Sequence, residues 1–328
     1  MATAELIAEL VRAHTQGDER RWLNILSQLI AAESRAGHTR QAARLRELLA
    51  EAREQTSAQS RRSDRPIQLA RAPRDLADVL DVRYSDVKLA DLVLPPALRS
   101  SVQRILDEQR MASRLAEHGL SARRRLLMYG PPGCGKTMTA HALAGELALP
   151  LARVRLEVLF NRYLGETAAT LTDIFDHISR VRAVYLFDEF DALGKHRTDE
   201  FDVGEAKRVV GTFLQLLDAD HSDSLIVAAT NLGGSLDHAL LRRFDDVLNF
   251  PPPTEQAINT LLRRLLRSVS ISADDIKQLA KQSKGLSFAE VRAAVDNARK
   301  AAILLDHQQP SIEHIAAELS ARVRGDSL

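Results

Sequence analysis

With one cysteine, Cys134, in 328 residues, the chain cannot form an intramolecular disulfide, and nothing in it asks for an oxidising compartment. It contains no apolar run approaching the ~18 residues of a membrane span. The acidic Glu5 and Glu9 stand where a secretory leader would be basic and then apolar. Charge of one sign is also lacking: 45 basic side chains face 44 acidic ones, for a net +1, which argues against a chain built around nucleic-acid phosphates. Aromatic residues make up 4%, so basic and aromatic residues do not interleave as base-stacking surfaces require. Internal repeats and low-complexity tracts are missing too. What remains is an ordinary globular balance, 45% hydrophobic and 27% charged. At roughly 100–200 residues per domain, the length suits two or three domains. These features predict a cytoplasmic protein with no membrane contact and no nucleic-acid partner.

Residues 1–55 show three short amphipathic stretches. Thr3 can cap the first, with Leu6, Leu10 and His14 on one stripe; Asp18 can cap the second, with Trp22, Ile25, Leu26, Leu29 and Ile30; Thr39 starts the third, with Leu45, Leu48 and Leu49. None can bury its stripe alone, so a small three-helix bundle is predicted. Residues 56–74 turn to Ser, Gln, Arg and Pro and read as a flexible basic linker, with no aromatic to make it a nucleic-acid arm. From residue 75 the grain changes. The runs Arg125–Tyr129, Pro150–Arg155, Ala183–Phe187 and Leu225–Ala229 are short and unalternating, as buried parallel strands should be. A fifth, Asp246–Phe250, ends at Pro251, Pro252 and Pro253. Helical patterns separate these runs, so residues 75–252 are predicted as an α/β domain with a parallel five-stranded sheet and flanking helices. Residues 253–328 carry four further helical patterns, Thr254–Arg267, Ala273–Gln282, Phe288–Leu305 and Ile312–Arg322, and form a separate helical subdomain.

Residues 130–137, Gly130-Pro131-Pro132-Gly133-Cys134-Gly135-Lys136-Thr137, spell a phosphate-binding loop between a strand and a helix that opens at Met138. The glycines let backbone N–H groups turn inward around phosphate oxygens. Lys136 places a cation on the β- and γ-phosphates, and Thr137 offers a hydroxyl to Mg²⁺. Cys134 occupies a permissive position and reads as filler. The apolar run ending at Asp188 and Glu189 brings two carboxylates to a strand end: the first suits the Mg²⁺ shell, and the second can take a proton from an attacking water. Leu225-Ile-Val-Ala-Ala-Thr230-Asn231 ends in an amide suited to the γ-phosphate or the water. Arg242 and Arg243 lie at a predicted helix end; either they pair with Asp245 or Asp246, or they serve as arginine fingers.

Taken in order, GPPGCGKT, YLFDEFDAL, VAATN and LLRRFD followed by a helical lid resemble an AAA-type (AAA+) ATPase module from about Val79 to Arg322. The resemblance implies Mg²⁺-dependent ATP hydrolysis in a homo-oligomeric ring, usually of six subunits, with nucleotide between neighbours. It implies that residues 130–138 bind ATP, that Thr137 and Asp188 serve the metal, that Glu189 is the catalytic base and Asn231 the first sensor, and that Arg242 and Arg243 reach into the next subunit's site. It also implies a protein substrate gripped by a central-pore loop at Tyr163-Leu164-Gly165, followed by Glu166; Tyr163 and Leu164 packing against the large subdomain is the alternative. One departure stands out: where the family writes Gly-x-Ser-Gly-Ala-Asp at the start of a lid helix, this chain has Gly285-Leu286-Ser287-Phe288-Ala289-Glu290, with Arg292 one turn on. The layout is similar, further, to bacterial ATPases paired with a subtilisin-like serine protease in plasmid-maintenance and defence modules. That likeness implies substrate remodelling, or ATP-gated restraint of the protease with little turnover.

Overall fold

The computed structural model describes residues 76–162, 167–190, 200–231, 241–269, 271–305 and 309–325. The predicted bundle (1–55), the linker (56–74) and the loop at Tyr163, Leu164 and Gly165 lie outside the described residues.

A six-stranded sheet organises residues 76–252. Its strands are β1 (Leu80–Arg83), β2 (Arg125–Tyr129), β3 (Leu151–Val154), β4 (Val184–Phe187), β5 (Leu225–Thr230) and β6 (Asp246–Asn249), in the spatial order β1-β3-β4-β5-β2-β6. All neighbours are parallel except β1, which runs antiparallel to β3 with Leu80 opposite Val154 and Arg83 opposite Leu151. The five expected strands are all present and parallel, and the structure adds a sixth, β1, as an antiparallel edge. Leu80-Asp81-Val82-Arg83 has four residues and only one buried side chain, so it lacks the mostly buried apolar run that marks the four interior strands.

Each interior strand divides its side chains between two cores by simple alternation. Leu127, Tyr185, Phe187, Ile226 and Ala228 face one side, under α5 (Thr167–Arg180) and α6 (Glu200–Ala219). Leu126, Met128, Val184, Leu186, Leu225, Val227 and Ala229 face the other, under α1 (Pro96–Arg110) and α3 (Lys136–Leu147). Two short helices, α2 (Ala112–Glu117) and α4 (Leu156–Arg162), complete this part. Burial on both faces is what fills the strands with apolar residues, and small Ala140, Ala142, Ala144 and Gly145 let α3 pack closely.

The lid has its own core. Here α7 (Glu255–Leu265), α8 (Ala273–Gln282), α9 (Phe288–Leu304) and α10 (Ile312–Arg324) pack Ile258, Leu262, Leu279, Val291, Ala294, Ile315 and Leu319 together. Thr254, Ser272, Ser287 and Ser311 cap these helices, each accepting a hydrogen bond from the backbone N–H three residues on. The helices match the sequence expectation to within two residues at each end. Among the described residues no helix is long and apolar enough to cross a membrane.

Candidate functional site

Because β2, β4 and β5 are parallel neighbours, their C-terminal ends lie along one edge, and the segments that follow them meet there. Tyr129 is in register with Thr230 and Phe187 with Ala228. The phosphate loop, the Asp188-Glu189 pair and Asn231 therefore converge on one cleft of about 350 Å³.

Lys136 opens α3, and its ammonium sits at the focus of three oxygens. It donates to Gly130 O at 2.7 Å, Pro131 O at 2.9 Å and Asn231 Oδ1 at 2.9 Å. The residue is only 7% exposed, so this cation acts in a poorly hydrated setting. Thr137 Oγ1 donates to Asp188 Oδ2 at 3.0 Å. A hydroxyl and a carboxylate held this close, next to a loop that receives phosphate, form the sparse all-oxygen donor set that Mg²⁺ accepts when phosphate and water complete its shell. The residues fit the ion.

The backbone of the loop leaves no room for side chains at two points. Gly130 has φ +143°, and a Cβ there would fall 2.1 Å from the carbonyl oxygen of Phe250. Gly133, with φ +73°, would place a Cβ 2.6 Å from Ser287 Oγ and 3.0 Å from the Ala289 Cβ. The start of α9 thus rests directly on the loop, and Ala289 N donates to Gly133 O at 3.2 Å. Gly130→Ala is expected to cost roughly 2 kcal/mol of unfolding free energy, as overpacking against rigid backbone does. Urea unfolding of the two proteins measures it.

Asp188 and Glu189 are pinned by the aromatic residues on either side. Phe187 and Phe190 both pack on Phe213 of α6, with ring centroids 5.0 and 4.9 Å apart. Phe190 N donates to Ala229 O at 2.8 Å, tying the turn to β5. Glu189 itself has φ +53°, a left-handed conformation uncommon outside glycine. Its side chain lines the cleft.

Cys134 is buried, and burial pushes its thiol pKa up, partly opposed by Lys136. A thiol held protonated is poorly reactive, which agrees with its reading as filler. Arg243 Nε donates to Asp218 Oδ2 at 2.7 Å on α6, while Asp245 accepts from the backbone N–H groups of Arg124 and Arg125 and Asp246 pairs with Arg123. Arg242 is exposed. Neither arginine is among the residues lining the cleft.

Several site residues carry no motif and were missed in the sequence. Arg153, the exposed residue of β3, places a guanidinium nitrogen 3.5 Å from Asp188 Oδ2. Burial first, then Arg153 and Arg83, hold the nearby His141 below its ordinary pKa, so it adds no charge there at neutral pH. Leu92, Val93 and Leu94 form one wall of the cleft. They are held by Arg99, which donates to Leu92 O at 2.6 Å, and by Lys88, which donates to Gly145 O at 2.6 Å. Leu261, Phe288 and Arg292 of the lid complete the cleft. Of these, Phe288 and Arg292 did carry a sequence signal, the first as a departure from the family pattern and the second as a choice between a second-sensor arginine and a surface charge.

Comparison with known proteins agrees with this geometry. Residues 126–252 match the family model described as ATPase family associated with various cellular activities (AAA). The chain is 35% identical over 309 residues, 94% of its length, to an uncharacterised AAA family ATPase, y4kL, of Sinorhizobium fredii, covering 92% of that protein. It is 33% identical to the ATPase family gene 2 protein of Saccharomyces cerevisiae over 71% of this chain and 30% of the yeast protein. It is 35% identical to the proteasome-activating nucleotidase of Pyrococcus horikoshii over 57% of this chain and 49% of that protein.

Proposed function

This chain belongs to the AAA family of ATPases, and on that premise we propose that it hydrolyses Mg²⁺-ATP as a homo-oligomeric ring, usually of six subunits, that remodels or threads a protein substrate in the cytoplasm. The observation carrying the chemistry is the single cleft lined by Lys136, Thr137, Asp188, Glu189 and Asn231. A Mg²⁺ ion bound there would supply positive charge against the charge that develops on the γ-phosphoryl group. Thr137 and Asp188 hold the ion. Lys136 meets the β- and γ-phosphates, and the N-terminus of α3 adds its own positive end. Glu189 takes the proton of the attacking water, and Asn231 orients that water against the γ-phosphate. Arg242 and Arg243 serve the neighbouring subunit's site; that neither lines its own cleft supports a role in trans.

Threading is the reading that the likeness to proteasome-activating nucleotidases supports, because activating a protease compartment implies delivering substrate to it. In this chain Tyr163, Leu164 and Gly165 form the gripping loop: an aromatic face can wedge against an extended polypeptide without reading its sequence. Residues 1–55 dock the partner, and 56–74 give that bundle its reach. The partner proposed is a subtilisin-like serine protease in a bacterial defence or plasmid-maintenance module, resting on the resemblance of the N-terminal layout, the Tyr163 loop and the ALLRRFD run.

The test is ATPase activity with and without casein as an unfolded polypeptide. Wild type should be stimulated. Tyr163→Ala should keep its melting temperature, nucleotide affinity and basal rate within a few-fold but lose the stimulation. A large drop in melting temperature would make Tyr163 a packing residue, since buried-aromatic truncation costs about 3–5 kcal/mol. If Glu189→Gln kept full cellular activity, ATP-gated restraint of the protease would replace threading.

A further inference from the structure

The lining of the cleft is of two kinds. Lys136, Thr137, Asp188, Glu189 and Asn231 supply polar groups, and Leu92, Val93, Leu94, Leu261 and Phe288 supply apolar surface, with the charged Asp91 and Arg292 beside them. A nucleoside triphosphate has the same division, and with its phosphates on the loop its base is left to the apolar lining. Four of the five apolar residues are aliphatic and offer area without orientation. Phe288 alone brings a π-face.

The backbone that carries that ring is anchored on both sides. Phe288 is the first residue of α9, and Ser287 and Glu290 close a capping box around it: Glu290 N donates to Ser287 Oγ at 3.3 Å and Ser287 N to Glu290 Oε2 at 2.7 Å. On the loop side, Ala289 N is bonded to Gly133 O, and Ser287 lies against Gly133 so closely that a Cβ there would collide. Phe288 is thus held between two residues that abut the phosphate loop, and its side chain, half-buried, lines the cleft. A residue at this position that merely filled the lid core would be fully buried, as Val291 and Ala294 are on the same helix.

We infer that Phe288 stacks on the base of the bound nucleotide and supplies base-dependent affinity that phosphate contacts cannot. The inference rests on the nucleotide reading of this cleft. Stacking on an aromatic ring is tolerant of base identity, because every base has a π-face. Phe288 therefore separates nucleotides from bare polyphosphates rather than one purine from another. It also makes the lid, which carries the ring, a direct reader of whether a base is present.

Calorimetric titration of the full-length protein with ADP and with inorganic tripolyphosphate, both in Mg²⁺, tests this. Phe288→Ala is expected to weaken ADP binding about 10-fold, in the range of one lost base–aromatic stack. Tripolyphosphate affinity should stay within twofold, which also shows that the variant is folded and its loop intact. Phe288→Tyr, which keeps the ring, should hold ADP affinity within about threefold of wild type. Unchanged ADP affinity in Phe288→Ala, or equal loss of both ligands, overturns the inference while leaving the nucleotide site standing. Failure of the wild-type protein to bind ADP would overturn the nucleotide reading, and the inference with it.

Discussion

Lys136→Ala is expected to abolish nucleotide binding, whereas Glu189→Gln should bind ATP with near-normal affinity and hydrolyse it roughly 10²–10⁴-fold more slowly, the usual contribution of a positioned general base. The two residues act at different stages. The Lys136 ammonium is 7% exposed and held by Gly130 O, Pro131 O and Asn231 Oδ1 at the place where phosphate oxygens arrive. Its attraction for phosphate operates before any bond breaks, and poor hydration strengthens it. In the proposed mechanism the glutamate acts on water, and its work appears only as the transition state forms. Glutamine keeps the shape and loses the proton acceptor. Calorimetry with ATP and a phosphate-release assay separate the two variants; equal loss of affinity in both would remove Glu189 from its role. Because Lys136 also ties Asn231 to the loop, the melting temperature of Lys136→Ala should be compared with wild type before its binding is interpreted.

The second large effect concerns the two arginines. Arg242→Ala is expected to lower kcat by about 10³–10⁵-fold, the contribution that arginine fingers make in phosphate-loop enzymes. Arg243→Ala should cost less, because its Nε is already engaged by Asp218 at 2.7 Å within the same chain. That pair is partly exposed, with side chains 34% and 47% accessible, so breaking it should change stability by under about 1 kcal/mol. The decisive experiment is mixing. A ring containing the Arg242→Ala, Arg243→Ala double variant and the Lys136→Ala variant has some interfaces with an intact phosphate loop on one side and intact arginines on the other. Such interfaces should recover ATPase activity that neither parent shows. No recovery at any ratio, with mixed rings verified, would place the arginines' action within their own subunit.

Much of this site could be read from local pattern. Residues 130–137, Asp188, Glu189 and Asn231 each follow a short apolar strand, and parallel pairing of those strands leaves their ends nowhere else to go. Lid helices were equally legible, because Thr254, Ser272, Ser287 and Ser311 mark their starts with side chains whose hydrogen bonds are local. What escaped notice depends on distant parts of the chain meeting. β1 is a strand because β3 offers it an edge, not because its own four residues insist on it. Arg243 pairs with Asp218, 25 residues away, while the acids beside it bond to Arg123 and to the backbone at Arg124 and Arg125. The aliphatic wall at Leu92–Leu94 carries no motif; only the bonds from Arg99 and Lys88 show how it is positioned. Phe288 was visible only as a mismatch, and its place in the cleft gave that mismatch a physical meaning.

The left-handed backbone of Glu189 sets stability against activity. An L side chain held at φ +53° costs about 1 kcal/mol relative to an ordinary conformation. The surrounding structure imposes it through the bond from Phe190 N to Ala229 O and the contacts of Phe187 and Phe190 with Phe213. Glycine or asparagine would relieve the strain at once, since both accept this conformation readily. A search for more heat-resistant variants of this protein would therefore be drawn to position 189 and, with Glu189 as the proposed base, would return folds that are sturdier and inert. The carboxylate persists there against the preference of its own backbone, and a selection for thermostability alone would erase it.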